Sequence, residues 1–498
     1  VFAVWLGVGI ITDQIETLIF LIGGATLLTC ALLGNKIWLL VPFMAALNVS
    51  LRIPGQPTSL LLAQAIVLGF SILLFLMRKL PVKFKFTELE FWTILLCAFV
   101  LQVYLRNPVS VSLFGGSMIG GKTYIIFAIT VSVYILFSGL RVPVNELHLF
   151  YRLTIIGGIL SCGLNVIGRL VPSIGVWYGA SPGSNLDQMS AGPTAHRATR
   201  IGFLNDLASN LSLWICTRMS PFAALVRPIW LFAICLSLGF AAMSGFRNTV
   251  AAVGMTYICG LIYRGGGLHL LASFFSGVIL LALLAFANLY KPLPPNMQRS
   301  LSFLPGTWDD DIKRDAKNST EWRTDIWKEV LFTDRWISNK YFGDGLGFTA
   351  RELQTQLNLS TQVGVVGISG FDMHRETILS NADYHSGPVA TIRTIGYIGL
   401  LALLLAMIRL SVHAHRQIKR AQGTEWFPLA LLICIPLIWM PFFFVFVFGS
   451  FQIGATGFLL GSAMVRLLEN NLPLLPYSSR IRDHVYLPPK NPSIQAQA

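Results

Sequence analysis

The chain has 498 residues, of which 54% are hydrophobic and only 12% charged, and a mean hydropathy of +0.64 is too apolar for a water-soluble multidomain protein. A formal net charge of +14 would suit nucleic acid in a soluble protein. Here the basic residues gather in short loops between apolar runs, a pattern of membrane topology and anionic lipid or phosphate, and no basic domain interleaved with aromatics exists to bind nucleic acid.

Apolar runs near 17–34, 37–52, 60–77, 90–105, 122–139, 150–172, 201–219, 222–243, 247–263, 268–289, 391–410, 427–447 and 451–467 are long enough, or nearly so, to cross about 30 Å of hydrocarbon as helices. They predict an all-α polytopic membrane bundle of about 12–14 spans. The second run is short, and the seventh carries Asn205, Asp206 and Asn210. The seven cysteines, Cys30, Cys97, Cys162, Cys216, Cys235, Cys259 and Cys434, lie in or at the ends of these runs without metal-ligand spacing and read as small core residues. No basic n-region precedes the first apolar residues, so no cleavable signal peptide is expected, and residues 1–12 read as the remnant of a longer first segment.

Lys and Arg set the orientation. Arg78, Lys79, Lys83 and Lys85, then Arg141, Arg218, Arg227, Arg264, and Arg416, Lys419 and Arg420 all follow odd-numbered spans, which places these loops and the C-terminal tail on the cytoplasmic side. The Gly/Ser/Pro-rich segment 173–200 and the long loop 290–388 then face outward. Four parts follow: an N-terminal bundle over 1–289, an outer loop over 290–388, C-terminal spans over 389–470 and a cytoplasmic tail over 471–498.

The outer loop has its own organisation. Ser319 or Thr320 can cap a helix on which Trp322, Ile326, Trp327, Val330 and Leu331 recur at helical spacing, an amphipathic helix resting on the membrane surface or the mouth of the bundle, with Arg323 on its polar side. A turn at Gly343-Asp344-Gly345-Leu346-Gly347 closes that unit, and a second short helix is expected over 349–357. The run Asp309-Asp310-Asp311 reads as solvated, and His374, Arg375 and Glu376 as a solvated loop.

The loop ends at Asn381–Gly399, NADYHSGPVATIRTIGYIG. Pro388 suits a first helical position, so Ser386 or Gly387 becomes the cap. The positive end of the helix then lies beside His385, where it favours a neutral imidazole and a nearby anion. Arg393 and Gly396 share a face that Gly399 extends with small residues, open to another helix or a lipid chain. Arg393 sits inside an apolar run, where a charge must face a cavity or snorkel outward.

His385 and Ser386, nine further residues, then Gly396 and Gly399 resemble the His-[Asn/Ser/Gln], nine, Gly, two, Gly pattern of the O-antigen ligase superfamily. That superfamily includes lipopolysaccharide ligases, polysaccharide polymerases and protein O-oligosaccharyltransferases. Its recurring arginine at the outer end of a middle helix is matched by Arg247, and its arginine ahead of a Gly-x-Gly turn by Arg323 before Gly343 and Gly345. The resemblance covers about residues 200–465. It implies a GT-C-like membrane glycosyltransferase in the bacterial inner membrane, its site facing the periplasm, that needs neither metal nor cofactor. The implied donor is an undecaprenyl-diphosphate-linked glycan. The implied acceptor is the lipid A core, for a ligase, or a growing glycan, for a polymerase; a protein hydroxyl is a third choice.

In such a reaction planar guanidinium groups hold the departing lipid diphosphate by paired charge-assisted hydrogen bonds. His385 either takes the proton of the acceptor hydroxyl or orients a phosphate. The expected catalytic set is therefore His385, Arg323 and Arg247. Arg393, Arg200, Ser386, Gly396, Gly399 and Asp383 form the expected substrate-binding set, with Asp383 two residues before His385 and able to orient its ring. Each has a plainer alternative: an interfacial anchor for Arg247, a headgroup contact for Arg323, a loop hydrogen bond for His385. Asn205, Asp206 and Arg200 either line the same outer cavity or bond the bundle together. Gly120-Gly121-Lys122 lacks the frame of a phosphate loop. An anionic lipid or solute transporter is the alternative from another class; it calls for broken helices and an internal repeat, and the sequence suggests neither.

Overall fold

The computed structural model describes residues 24, 32–51, 57–109, 121–171, 178–179, 201–348, 354–355, 358, 375, 378–379, 382 and 384–472. The protein is a helical membrane bundle. Its α-helices are α1 (Leu40–Leu47), α2 (Ser59–Leu76), α3 (Glu88–Arg106), α4 (Lys122–Gly139), α5 (Val144–Leu170), α6 (Gly202–Arg218), α7 (Pro221–Leu225), α8 (Pro228–Met243), α9 (Arg247–Arg264), α10 (Gly266–Tyr290), α11 (Pro295–Leu301), α12 (Asp310–Phe332), α13 (Gly387–Ala421), α14 (Phe427–Phe446) and α15 (Phe451–Asn471). A 3-10 turn, Gly34–Leu39, leads into α1, and Ser50–Leu51 (β1) pairs antiparallel with Tyr178–Gly179 (β2), Ser50 opposite Gly179.

Among the described residues eight helices are long and apolar enough to cross a bilayer, fewer than the thirteen runs read from the sequence. The differences have local causes. The first run falls outside the described residues apart from Gly24 and residues 32–34. The second becomes a short helix that stops at Asn48 in a left-handed conformation. The eighth breaks ahead of Pro228 into α7 and α8, because proline cannot donate to the preceding turn. Helices α6 and α9, at the seventh and ninth runs, are present but fall short of the length or apolarity of the eight.

The main core lies where α13 packs against α3, α14 and α15, and α15 against α4. A second group of α6, α8 and α9 joins it through α14. Helix α10 packs on α9 and shows Leu268, Leu271, Phe274, Phe275, Ile279 and Leu283 outward, the surface expected of a helix against lipid rather than protein.

One end of the bundle gathers the basic loops, in line with the sequence reading. Arg141 donates to the carbonyl of Asn470; Arg264 to those of Cys216 (2.7 Å) and Thr217; Arg420 to those of Glu469 (3.0 Å) and Leu472 (2.7 Å). In each case an arginine satisfies carbonyls that a neighbouring helix leaves open at its C-terminus, where positive charge is also favoured. At the same end Arg466, 1% exposed, lies between Glu90 (2.9 Å) and Glu469. Tyr134 donates to Glu90 as well, at 2.9 Å.

Helix α12 begins earlier than expected. Its cap is Asp309, whose carboxylate accepts from the Asp311 and Ile312 amides at 2.9 and 3.2 Å, with Asp310 and Asp311 in the first turn. The acidic run is exposed, as the sequence suggests, and is also the helix start, stabilised by the amides and the positive helix end; Ser319 and Thr320 lie within the helix.

Candidate functional site at the mouth of the bundle

Helix α13 is opened part-way along. Gly396 has φ 77° and ψ 178°, so the helical pattern stops there and starts again, and the segment after α12 fills the gap. The amides of Asp344 and Gly345 donate to the carbonyls of Arg393 (2.7 Å) and Thr394 (3.1 Å), and the Tyr397 amide donates to the Lys340 carbonyl at 2.8 Å. Side chains on both sides reinforce the join. Arg393, 2% exposed, donates to the carbonyls of Gly345 (2.6 Å) and Gly347 (3.0 Å). Asp344 accepts from the Ser338 and Asn339 amides at 2.7 and 3.0 Å. Lys340 bonds Asp334 at 2.7 Å, and that bond with its charge holds the exposed Asp334 carboxyl below the ordinary range.

Two expectations change here. Gly396 is not part of a smooth small-residue face: a Cβ at that position would overlap the Tyr341 carbonyl, and one at Gly343 would meet the Thr394 and Ile395 backbone at 2.5 Å. Both are glycines because two backbones meet and φ is positive. Gly399 is buried and turned toward Ile395 of its own helix. The Arg393 guanidinium, expected at a phosphate or snorkelling outward, has loop carbonyls as partners. Also at variance with the sequence reading, one spanning helix is broken.

The same turn reaches the C-terminal end of α3 and the N-terminal end of α4. Arg106 donates to the carbonyls of Phe342 and Gly343 at 3.0 and 2.9 Å, Asn107 to that of Asp344 at 3.0 Å, and Thr123 to that of Leu346 at 2.8 Å.

His385 immediately precedes this helix. It is half-buried, with φ 51°, a left-handed conformation that a residue with a Cβ adopts rarely and at a cost. Ser386 is the cap, its hydroxyl accepting from the Val389 amide at 3.5 Å, and Pro388 sits in the first turn. The His385 ring stacks on Phe448 at 5.8 Å between centroids and faces Trp322 of α12 at 6.3 Å. The backbone is fixed from both sides: Trp327 donates to the Tyr384 carbonyl at 2.8 Å, and a Cβ at Gly387 would meet the Phe444 carbonyl at 2.5 Å. Beneath lies a small core of Ile326, Val330, Trp336, Leu379, Tyr384 and Val389. It seats the apolar face of α12 on the start of α13. Glu329 on α12 pairs with Arg375 and accepts from Trp336 at 2.8 Å.

Arg323, also half-buried, follows Trp322 in the chain and so lies on the helix that flanks His385. Arg247 is the first residue of α9, after a turn in which Gly245 has φ 75°. Helix α11 packs against α8, α9 and α12, so it links the Arg247 turn to the helix bearing Arg323. All three expected catalytic residues are thus at one end of the bundle, opposite the basic loops.

Neither known family models nor curated proteins match this chain.

Three neighbours were missed or underused in the sequence reading. Trp322 was read only as part of an apolar face. Phe448 closes the run FFFVFVFGS, and an aromatic at a helix end facing the outer interface was its one available signal. Arg299, 8% exposed, points to the Gly245 carbonyl at 3.5 Å; no spacing in the loop distinguishes it. Asn205 accepts from Thr249 at 2.7 Å and donates to Asp206 at 3.2 Å, a polar link between α6 and the first turn of α9. Arg200 and Asp383 lie outside the described residues, as does most of the second helix expected over 349–357. Among the described residues no three His, Cys, Asp or Glu side chains converge as metal ligands.

Proposed function

We propose that this chain is a membrane glycosyltransferase that moves a glycan from an undecaprenyl-diphosphate carrier to an acceptor at the outer, periplasmic face of a bacterial inner membrane, acting as an O-antigen ligase. The observation that carries the reading is His385, held in a left-handed backbone conformation between Trp322 and Phe448, with Arg323 next to Trp322. A folded chain accepts such a conformation where the position of the side chain matters.

In this reading the His385 imidazole takes the proton of the acceptor hydroxyl as its oxygen bonds to the anomeric carbon. The bond from that carbon to the carrier's diphosphate breaks, and the diphosphate leaves with the bonding pair. Arg323 and Arg247 stabilise the charge that builds on it. Trp322 and Phe448 give the imidazole apolar walls and fix its plane. We assign Arg393 to holding the turn 343–347 under the site rather than to the phosphates.

A polymerase of the same superfamily uses the same residues with a growing glycan as acceptor. A transporter is less well supported, even with a broken helix present: transporter breaks leave backbone groups for substrate, whereas at Gly396 the protein's own loop takes them. The test is glycoconjugate analysis in a strain lacking the protein, complemented with wild type or His385→Ala. The ligase reading expects carrier-linked glycan to build up and the finished lipopolysaccharide to be lost in both the null and the variant strain. Normal transfer by a well-expressed His385→Ala protein would refute it.

A further inference from the structure

At the end of the bundle away from His385, the first turns of α5, the last turn of α6 and the start of α14 enclose a cavity of about 260 Å³. Its polar lining is His148, Tyr151, Arg152, Arg218 and Glu425, and Trp426 forms part of the wall. The Trp426 ring lies 4.3 Å from that of His148, and His148 Nε2 is 3.7 Å from Glu425. Tyr151 is tied to Thr217 at 3.2 Å, and the Arg218 guanidinium lies 5.7 Å over the Tyr151 ring.

The two arginines differ from Arg141, Arg264, Arg420 and Arg466 at this end. Arg141, Arg264 and Arg420 each bond helix-end carbonyls, and Arg466 has two carboxylates. Arg264 takes the Cys216 and Thr217 carbonyls at the end of α6. Among the described residues neither Arg152 nor Arg218 has a hydrogen-bond acceptor or an ion-pair partner, and Glu425 at the rim faces His148. The cavity therefore carries two guanidinium groups with donors to spare, a combination that suits phosphate oxygens.

The surface above the cavity selects among phosphates. On α5, His148, Arg152, Ile156, Ile159 and Leu160 fall on one stripe at spacings of three and four. Ile156, Ile159 and Leu160 are exposed along a helix apolar and long enough to cross a bilayer. A headgroup at Arg152 would leave its acyl chains lying along this stripe. A free phosphate would make no use of it.

We propose that this cavity binds the phosphate headgroup of an anionic phospholipid, with the acyl chains running along the exposed face of α5. The site is independent of the glycan chemistry at the other end.

The test is a lipid titration of the purified full-length protein, read by native mass spectrometry, with phosphatidylglycerol against phosphatidylcholine of the same chain lengths. Wild type is expected to retain the anionic lipid roughly tenfold better or more. That preference is lost in Arg152→Gln/Arg218→Gln and largely kept in Arg152→Lys/Arg218→Lys. Equal retention of the two lipids by wild type overturns the proposal, and so does an unchanged preference in the double Gln variant. Inorganic phosphate is the competing probe: displacement of the lipid at equal concentration would mark the cavity as a site for soluble anions and overturn the lipid assignment. The two wild-type arms decide the matter even where the Gln variant fails to fold.

Discussion

His385 bears two separable burdens, a backbone held in the left-handed region and an imidazole between two aromatic rings. Glycine relieves the first and removes the second. His385→Gly is therefore expected to keep or raise stability, by up to about 1 kcal/mol of relieved strain as read from the thermal unfolding midpoint, while losing glycan transfer as fully as His385→Ala. A Gly variant that is both stable and active would assign the residue to loop geometry alone. For Arg323 and Arg247 the informative change is to lysine, which keeps the charge and loses the planar fork. If they hold a diphosphate in paired contacts, each Arg→Lys variant should lose at least about tenfold in transfer, since a charged hydrogen bond contributes roughly 1.5–3 kcal/mol. Transfer assays on membranes with matched protein levels would show this. At this scale the sequence was informative about position along the chain and poor about neighbours. The histidine at a helix mouth, the Ser386 cap and the arginine positions follow from short patterns, but Phe448 and Trp322 reach His385 only through contacts between segments far apart in the chain.

Among the elements, α13 decides how the segment after α12 is attached. Gly396→Ala would put a Cβ into the Tyr341 carbonyl at a positive φ, so a loss of at least about 2 kcal/mol is expected. The Lys340–Gly347 segment should at the same time become open to proteolysis, and peptide mapping after brief digestion would locate the cut there. For Gly399→Ala the nearest atoms belong to the Ile395 side chain rather than to backbone, and φ is not positive, so the effect should be milder; equal effects from the two would contradict the break as the reason for Gly396. The glycine spacing was visible in the sequence, but its physical meaning was not. A helical pattern with Gly396 inside it reads as a small-residue face until the loop that enters the break is known. The start of α12 was misread for a related reason. Ser319 and Thr320 are good cap types, and only the amides of Asp311 and Ile312 turning back on Asp309 mark the true start.

In the whole molecule, the positions of the spanning helices and the grouping of basic loops at one end were legible because hydropathy and charge act locally along the chain. What seals that end was not. Arg466 with Glu90 joins α3 to α15 across most of the sequence, and no local pattern encodes that pairing, whereas Glu469 is a partner three residues on in the same helix. Arg466→Met leaves two carboxylates without their partner and is expected to cost about 3–5 kcal/mol. Adding Glu90→Gln should recover part of that loss, as read from unfolding midpoints in detergent. A double variant no better than the single would mean that packing, not charge pairing, sets the role of Arg466.

The join at Gly396 also bears on connectivity. Strands of backbone from before and after residues 349–386 complete one another's hydrogen bonding, so a peptide bond severed by a protease site inserted after Phe348 should leave two pieces that purify together. Conversely, the outer segment made by itself in water would lack the partner that gives residues 340–347 their shape.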